Sequence, residues 1–342
     1  MDKLLTIVIP TYNMQDYLRK CLDSLIVDES KMSLLEVLII NDGSKDRSSE
    51  IAHEYESKFP KTFRVIDKEN GNYGSCVNRG LKEATGKYIK ILDADDYFCT
   101  DAFCQLVQRM EDVDVDMVFS DFHKVDPQDN IIEKCQISAP SGIFNFRDYD
   151  NISPIRMHSI AYRTSLLRQM GYHQTEGISY TDVEWSILPT SEVKTAVYYP
   201  LDIYSYLLGR EGQTMDPNIV SKTAYMHIII AKRVLNMYGS LQENHDSELI
   251  RRRVYGVIEE ITRIIYKSSL LEMPPSLFDK RSLKDYDNIL LSRCQDVYFS
   301  LEQSMIPNGI PFHYVKFWHK TGMRFPLAFA RVFIRKIRYG IK

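Results

Sequence analysis

Short apolar runs alternate with helical repeats over the first 125 residues. Leu4 to Ile9 is an apolar, largely β-branched run stopped by Pro10, the pattern of a strand buried on both faces. Tyr17, Leu18, Cys21, Leu22 and Leu25 then recur at helical spacing. Leu35 to Ile40 predicts a second buried strand, closed by the turn signal Asn41-Asp42-Gly43. A polar helix is expected from Lys45 to Lys58, a short strand at Phe63 to Ile66, a loop over 70–74 and a helix from Ser75 to Ala84. Tyr88 to Leu92 and Val115 to Ser120 complete the strands of this half.

Strands alternating with helices at this spacing predict an α/β fold with a mostly parallel sheet and helices on both faces. Ligands in such sheets bind beyond the carboxyl ends of the strands. Three of those ends carry unusual residues: Pro10 to Asn13, Asn41 to Ser44, and Asp93 to Asp96. From Asp126 to Tyr206 the pattern is mixed, and from Val220 onward it is helical, over Ala224 to Met237, Glu248 to Leu271 and Leu283 to Leu301. The expected organisation is a catalytic domain over 1–216, with halves 1–125 and 126–216, and a helical C-terminal region over 217–342.

Composition narrows the class without fixing the chemistry. Hydrophobic content of 44% and charged content of 26% are ordinary for a packed globular chain and exclude global disorder. The six cysteines have no zinc-ribbon spacing and read as reduced thiols of a cytosolic protein. Leu4 to Ile9 is too short for a signal peptide, and no stretch approaches the ~20 apolar residues of a membrane span. The net charge of −3 hides an asymmetry, because residues 311–342 hold eight Lys or Arg and no Asp or Glu.

Asp93-Ala94-Asp95-Asp96 ends a strand in three carboxylates. Like charges at such spacing need a cation or strong donors to compensate them. Oxygen ligation suits Mg²⁺ or Mn²⁺, which would also bridge diphosphate oxygens. The alternative is a solvated turn in which Asp95 or Asp96 caps the next helix.

Four stretches in order carry a family resemblance. They are Thr6-Ile7-Val8-Ile9-Pro10-Thr11-Tyr12-Asn13, Ile40-Asn41-Asp42-Gly43-Ser44-Lys45-Asp46, Asn70-Gly71-Asn72-Tyr73-Gly74-Ser75-Cys76-Val77-Asn78-Arg79-Gly80, and Gly86-Lys87-Tyr88-Ile89-Lys90-Ile91-Leu92-Asp93-Ala94-Asp95-Asp96. Together they resemble glycosyltransferase family 2, the inverting nucleotide-sugar transferases of GT-A fold. The resemblance implies a Rossmann-like mixed sheet followed here by a helical extension. It implies that Pro10, Thr11, Tyr12 and Asn13 pack on the donor base and that Asp42 accepts a hydrogen bond from it. It also implies that Asp93, Ala94 and Asp95 form the DXD motif, with Asp95 and Asp93 holding the metal. Asp42 also suits an ordinary turn aspartate beside Gly43, and Tyr12 a surface aromatic. The loop with Asn70, Gly71 and Asn78, which the resemblance places against the donor, departs from the family's usual Ala-Arg-Asn triplet, since Cys76-Val77-Asn78 stands there. That puts an arginine contact to the diphosphate in doubt.

In Tyr180-Thr181-Asp182-Val183-Glu184-Trp185, the resemblance places the general base at Asp182, with Glu184 as the other candidate. Thr181 and Glu184 also have capping-box spacing, so the expected helix start is held by those two while Asp182 faces the cleft. Arg210, in Gly209-Arg210-Glu211-Gly212-Gln213-Thr214, is expected at the donor diphosphate or an acceptor phosphate, a geometry that guanidinium suits; otherwise it lies on an exposed loop. His158 or His173 could supply a third metal ligand, or either is simply packed.

On a helical projection of 324–342, Arg324, Arg331, Arg335, Arg338 and Lys342 share one side. Phe325, Phe329, Val332, Phe333 and Ile337 share the other. This describes a helix lying on an anionic membrane surface, with Tyr314 and Trp318 at headgroup depth, or a helix docked on the protein's own core. No nucleic-acid motif accompanies the charge. The expected partners are a nucleotide-sugar donor, a UDP-sugar first, and a glycan or lipid-linked acceptor in cell-surface polysaccharide synthesis. The expected place is the cytoplasmic face of the membrane. Two other classes fit the sequence less well. A nucleotidyltransferase would need a glycine-rich loop after the first strand to grip a triphosphate, where Pro10-Thr11-Tyr12-Asn13 stands instead. A non-catalytic nucleotide-sugar binder would not need both the metal carboxylates and a base.

Overall fold

A computed structural model describes residues 2–149, 152, 155–210, 213, 223–244, 248–306 and 310–324. The chain divides into two compact units, Met1–Gln213 and Thr214–Lys342.

The first unit is built on one large mixed sheet. Strands β1 (Leu5–Thr11) and β2 (Leu35–Asn41) are buried at every position, as expected of runs that are apolar on both faces. β3 (Phe63–Asp67) and β4 (Tyr88–Ile91) join them in parallel, in the order β3-β2-β1-β4. Helices α1 (Leu18–Asp23), α2 (Glu29–Leu34), α3 (Ser48–Lys58) and α4 (Asn72–Glu83) lie between these strands in the chain. α4 packs closely on β1 because Gly80 has no side chain: a Cβ there would stand 2.4 Å from Val8 Cγ1.

Beyond β4 the sheet changes character. β5 (Tyr97–Phe98), α5 (Thr100–Met110) and β6 (Met117–Val125) lead into the hairpin strand β7 (Ile131–Cys135) and the short β8 (Gly142–Asn145). β9 (Ile160–Arg163) inserts antiparallel between β4 and β6. After α6 (Thr164–Gln169) and α7 (Asp182–Ile187), the long β10 (Thr195–Leu207) runs parallel to β6. The path is therefore β3-β2-β1-β4-β9-β6-β10-β5. The parallel half is the one the apolar runs predicted. The antiparallel half comes from segments whose mixed pattern carried no clear period.

Boundaries moved in two places that matter. The expected loop at 72–74 is the first turn of α4, entered through Asn72 at φ 66°. β6 runs to Val125 instead of stopping at Ser120.

The second unit is mainly helical, with long helices Ala224–Glu243, Glu248–Lys267 and Lys280–Arg293 and shorter ones Gln295–Ser300 and Tyr314–Thr321. Tyr314 and Trp318, expected at membrane headgroup depth, are buried instead. Trp318 Nε1 donates to Asp287 Oδ2 at 2.7 Å, because the helix that carries it turns its apolar side into this unit. Arg324 donates to the Met273 carbonyl and lies 4.9 Å over the Phe278 ring. The rest of the proposed amphipathic helix, 325–342, is outside the described residues. Among the described residues, no helix is long and apolar enough to cross a membrane.

Candidate functional site

Parallel pairing fixes where the strand ends meet. Thr11 is in register with Asn41, and Asp42 N donates to Thr11 O at 2.8 Å. β4 runs beside β1, and Leu92 N donates to Val8 O at 3.0 Å, so Asp93 to Asp96 emerge on the same rim.

On this rim the acidic residues cluster, with Asp96 buried and Asp93 and Asp95 partly buried. Asp93 accepts from Tyr73 Oη at 2.7 Å through Oδ1, and its backbone N donates to Tyr204 Oη at 3.1 Å. Tyr204 Oη in turn donates to Asp96 Oδ2 at 2.6 Å, while Leu207 N donates to Asp96 Oδ1 at 2.8 Å. Burial, with the Asp95 charge next, pushes the Asp93 carboxyl up to about 7, and Asp182 adds to the same effect. Burial and the charges of Asp95 and Asp93 also raise Asp96 well above the ordinary carboxylate range. Asp182 therefore stands within electrostatic reach of Asp93, at the first position of α7.

Asp95 is partnered differently. Its Oδ2 lies 2.5 Å from Arg210 Nε, with 11% and 14% of the two side chains exposed. Gln213 folds the segment back toward β10: its Oε1 accepts from Gly209 N at 3.0 Å and its Nε2 donates to Leu207 O at 2.7 Å. Gly209, at φ 88°, makes the reversal that brings Arg210 to the rim.

His158 reaches the cluster from the turn before β9. Its ring is stacked on Tyr206 at 4.4 Å and on Phe122 at 5.1 Å, with the Tyr204 edge at 4.8 Å. Burial holds its pKa down at about 3, so the ring is neutral. Its Nδ1 is buried and has no hydrogen-bond partner among the described residues. Lys90, fully buried in β4, donates to the carbonyls of His158 at 2.7 Å and Ile160 at 3.2 Å. Asp93, Asp96 and His158 offer ligand atoms within 4.8 Å of one another. Two carboxylates and a neutral ring nitrogen form a chemically sound donor set for a divalent cation. The raised carboxyls and the orphan nitrogen are what such a cation would relieve.

The residues expected at the donor base sit at the ends of β1 and β2. Tyr12 is 46% exposed and lines, with Gly43, Lys45, Asp67, Lys68 and Asn70, a cavity of about 490 Å³. Pro10 and Thr11 are buried, with Thr11 Oγ1 bonded to Ile9 O at 3.1 Å. Asn13, at φ 53°, ties the two loops: its N donates to Ser44 Oγ at 3.1 Å and its Oδ1 accepts from Lys45 N at 2.7 Å. Ala94 is buried. Asp42 is turned into the protein. Its carboxylate accepts from Lys68 Nζ, from Gly71 N at 2.9 Å and from Asn72 N at 2.9 Å, and its carbonyl accepts from Asn70 Nδ2 at 3.0 Å.

Two expectations fail on the geometry. The capping box at Thr181 does not form: Thr181 lies at φ −79°, ψ −1°, outside the extended region a cap needs, and its Oγ1 has no hydrogen-bond partner among the described residues. Glu184 instead accepts from Thr175 N and from Thr175 Oγ1, each at 2.7 Å, and is completely buried. Asn78 faces away from the rim, toward His173, Gln174 and Glu176. His173 therefore stands apart from the acidic cluster, at Asn78.

Sequence reasoning passed over Tyr73, Lys90 and Tyr204. Lys90 had a signal, since a lone lysine between Ile89 and Ile91 in a buried strand needs buried acceptors. The two tyrosines had none beyond being aromatic.

A mixed sheet of this topology with an acidic cluster at its carboxyl rim has the GT-A fold. Residues 6–171 match the model of Glycosyl transferase family 2. Glycosyltransferase EpsJ of Bacillus subtilis is 38% identical over 124 residues, 36% of this chain and 35% of that protein. Glycosyltransferase MG025 of Mycoplasma genitalium is 43% identical over 102 residues, 29% of this chain and 34% of that protein. This chain thus spans about a third of the length of these relatives. A further relative is the poly(ribitol-phosphate) β-N-acetylglucosaminyltransferase TarS of Staphylococcus aureus, 23% identical over 249 residues, 72% of this chain and 42% of that protein. The crystal structure of its residues 1–349 in complex with UDP-GlcNAc superposes with a TM-score of 0.65 at 16% identity, covering 94% of this chain and 92% of that one. That likeness concerns the fold.

Proposed function

We propose that this protein transfers a sugar from a nucleoside-diphosphate donor to a hydroxyl of a glycan acceptor, inverting the anomeric carbon. The observation that carries the reading is the meeting of Asp93, Asp95, Asp96, His158 and Arg210 with Asp182 on one rim of the sheet. The donor is a UDP-sugar, and UDP-GlcNAc is the first to try, because TarS was solved with it. The base packs in the cavity at Tyr12, between Gly43 and Asn70. Asp42 serves it by shaping the loop at 70–72, which its carboxylate holds through two backbone N–H groups.

Asp93, Asp96 and His158, with Asp95 beside them, would hold Mg²⁺ or Mn²⁺, and the ring nitrogen favours Mn²⁺. Bound there, the cation supplies positive charge to the departing diphosphate. Arg210, paired to Asp95, adds a fixed cation on the same side. Asp182 removes the proton of the acceptor hydroxyl as its oxygen attacks the anomeric carbon. The bond to the diphosphate oxygen breaks, and the nucleoside diphosphate leaves with its electron pair. Glu184 does not take that role in this reading, because both its oxygens are occupied by Thr175.

The acceptor is a lipid-linked glycan at an anionic membrane face, reached through the basic segment 325–342. Charge and amphipathic spacing in the sequence support that part alone. The test is a panel of nucleotide sugars scored for nucleoside diphosphate release, with and without Mn²⁺ and membrane extract. Release that depends on one donor and on the extract supports the reading. Donor binding without turnover under every condition would leave a binding protein.

A further inference from the structure

The segment from His173 to Thr181 leads into α7 and so into Asp182. It is fastened along α4 by contacts from both sides. Asn78 Nδ2 donates to Gln174 O at 2.9 Å and to Glu176 Oε1 at 2.8 Å, and lies 3.1 Å from His173 Nε2. Asn78 Oδ1 accepts from Gln174 N at 2.8 Å. One turn earlier, Gly74 lets the Thr175 carbonyl touch the helix, since a Cβ there would stand 2.0 Å from that oxygen. Gly177 N donates to Gly71 O at 3.1 Å. From the other side, Glu184 takes Thr175 N and Oγ1, and Gln174 Nε2 donates to Thr181 O at 2.6 Å. Tyr180, at φ 66°, holds a backbone conformation that a bulky residue adopts only when its surroundings impose it.

Gly71 is the pivot of this arrangement. Its N–H donates to Asp42 in the donor loop, and its carbonyl receives Gly177 of the strap. The donor loop, α4, the strap and the start of α7 thus form one continuous hydrogen-bonded path.

We infer that Asn78 and Glu184 are positioning residues: they fix the strap 173–181 on α4 and thereby set Asp182 relative to the donor loop. The inference rests on the transferase reading above for its catalytic consequence, and on the strap geometry for its structural one. Neither residue need touch donor or acceptor. A base displaced by an ångström loses about 100-fold in rate, so a loose strap lowers turnover at saturating donor and leaves donor affinity alone.

The experiment uses the full chain with UDP-GlcNAc and Mn²⁺, and follows amide exchange by mass spectrometry over 172–186. In Asn78→Ala, exchange over 173–178 rises about 10-fold or more. The kcat falls about 10-fold or more and donor KM stays within about 2-fold. Asn78→Asp loosens the strap further through its charge beside Glu176. The double variant Asn78→Asp/Glu176→Gln, which reverses donor and acceptor in that bond, recovers part of both losses. Thr175→Val, which removes the hydroxyl bond to Glu184 at nearly constant volume, moves exchange and kcat in the same direction should the Asn78 variants fail to fold. Unchanged exchange over the strap in Asn78→Ala overturns the inference. So does faster exchange with unchanged kcat, or a raised KM with unchanged kcat, which would make Asn78 a donor contact. A parent protein that turns over no nucleotide sugar defeats the transferase reading instead, and the exchange measurement still decides the strap.

Discussion

Arg210 Nε lies 2.5 Å from Asp95 Oδ2, and the pair joins the end of β10 to the end of β4 across the acidic rim. The contact compensates one of three adjacent carboxylates and leaves Asp93 and Asp96 with raised affinities for protons. Arg210→Ala should lower kcat/KM for the donor by about 10- to 100-fold. Arg210→Lys should recover only part of it, because an ammonium lacks the planar fork. Steady-state kinetics on both variants checks this, and an unchanged Arg210→Ala enzyme would remove Arg210 from the site.

Asp182 and Glu184 are two residues apart and should behave in opposite ways. Asp182→Asn should lower transfer by about 10²- to 10⁴-fold with little change in stability, since Asp182 is only partly buried. Glu184→Ala should cost about 2–4 kcal/mol of stability, because it empties a fully buried side-chain site and leaves the partly buried Thr175 N and Oγ1 without their acceptor. Urea denaturation beside a turnover assay separates them. The reverse pattern would move the base to Glu184.

Gly74→Ala should destabilise the first unit by about 2 kcal/mol. The added methyl meets the Thr175 carbonyl oxygen at 2.0 Å, and backbone on both sides leaves it no easy escape. A Tm within error of the parent would show that the strap lifts from α4 without penalty.

The second unit carries a pH signature. Burial raises the Asp287 carboxyl above its ordinary 3.8, although Tyr266 Oη at 2.8 Å and Trp318 Nε1 at 2.7 Å donate to it. Its protonated form is therefore favoured in the folded chain. Between 3.8 and the raised value the folded chain binds the proton and the unfolded chain does not. Stability falls as pH rises through that window and levels off above it. The Asp287→Asn variant should lack this slope. Thermal melts of both proteins at a series of pH values check it, and equal slopes would contradict it.

Much of this was legible in the chain. The runs at Leu4–Ile9 and Leu35–Ile40 are apolar on both faces, which only a covered parallel strand requires, and both are strands buried throughout. Asp93 and Asp95 were legible because like charges crowded at a strand end need compensation, whereas Asp182 was marked by the family resemblance, since a carboxylate at a helix start is favourable in itself. What the sequence hid was tertiary. Asn78 lies in a family motif, yet its amide points across α4 to residues nearly a hundred positions away. Thr181 and Glu184 have capping spacing, but Thr175 competes for the same carboxylate and wins with two donors. Tyr73 and Tyr204 became site residues only when the fold brought their hydroxyls to Asp93 and Asp96. His158 entered through the antiparallel half, which no periodicity announced.

The central claim is that the carboxylates clustered on the rim, with Asp182, carry out sugar transfer. Its most direct measurement is nucleoside diphosphate release from UDP-GlcNAc, with Mn²⁺ and membrane extract, by the parent protein, Asp93→Asn and Asp182→Asn, each confirmed as folded. The account predicts acceptor-dependent release by the parent and a loss of about 10²-fold or more in each variant. Release by both variants at the parent's rate would contradict it.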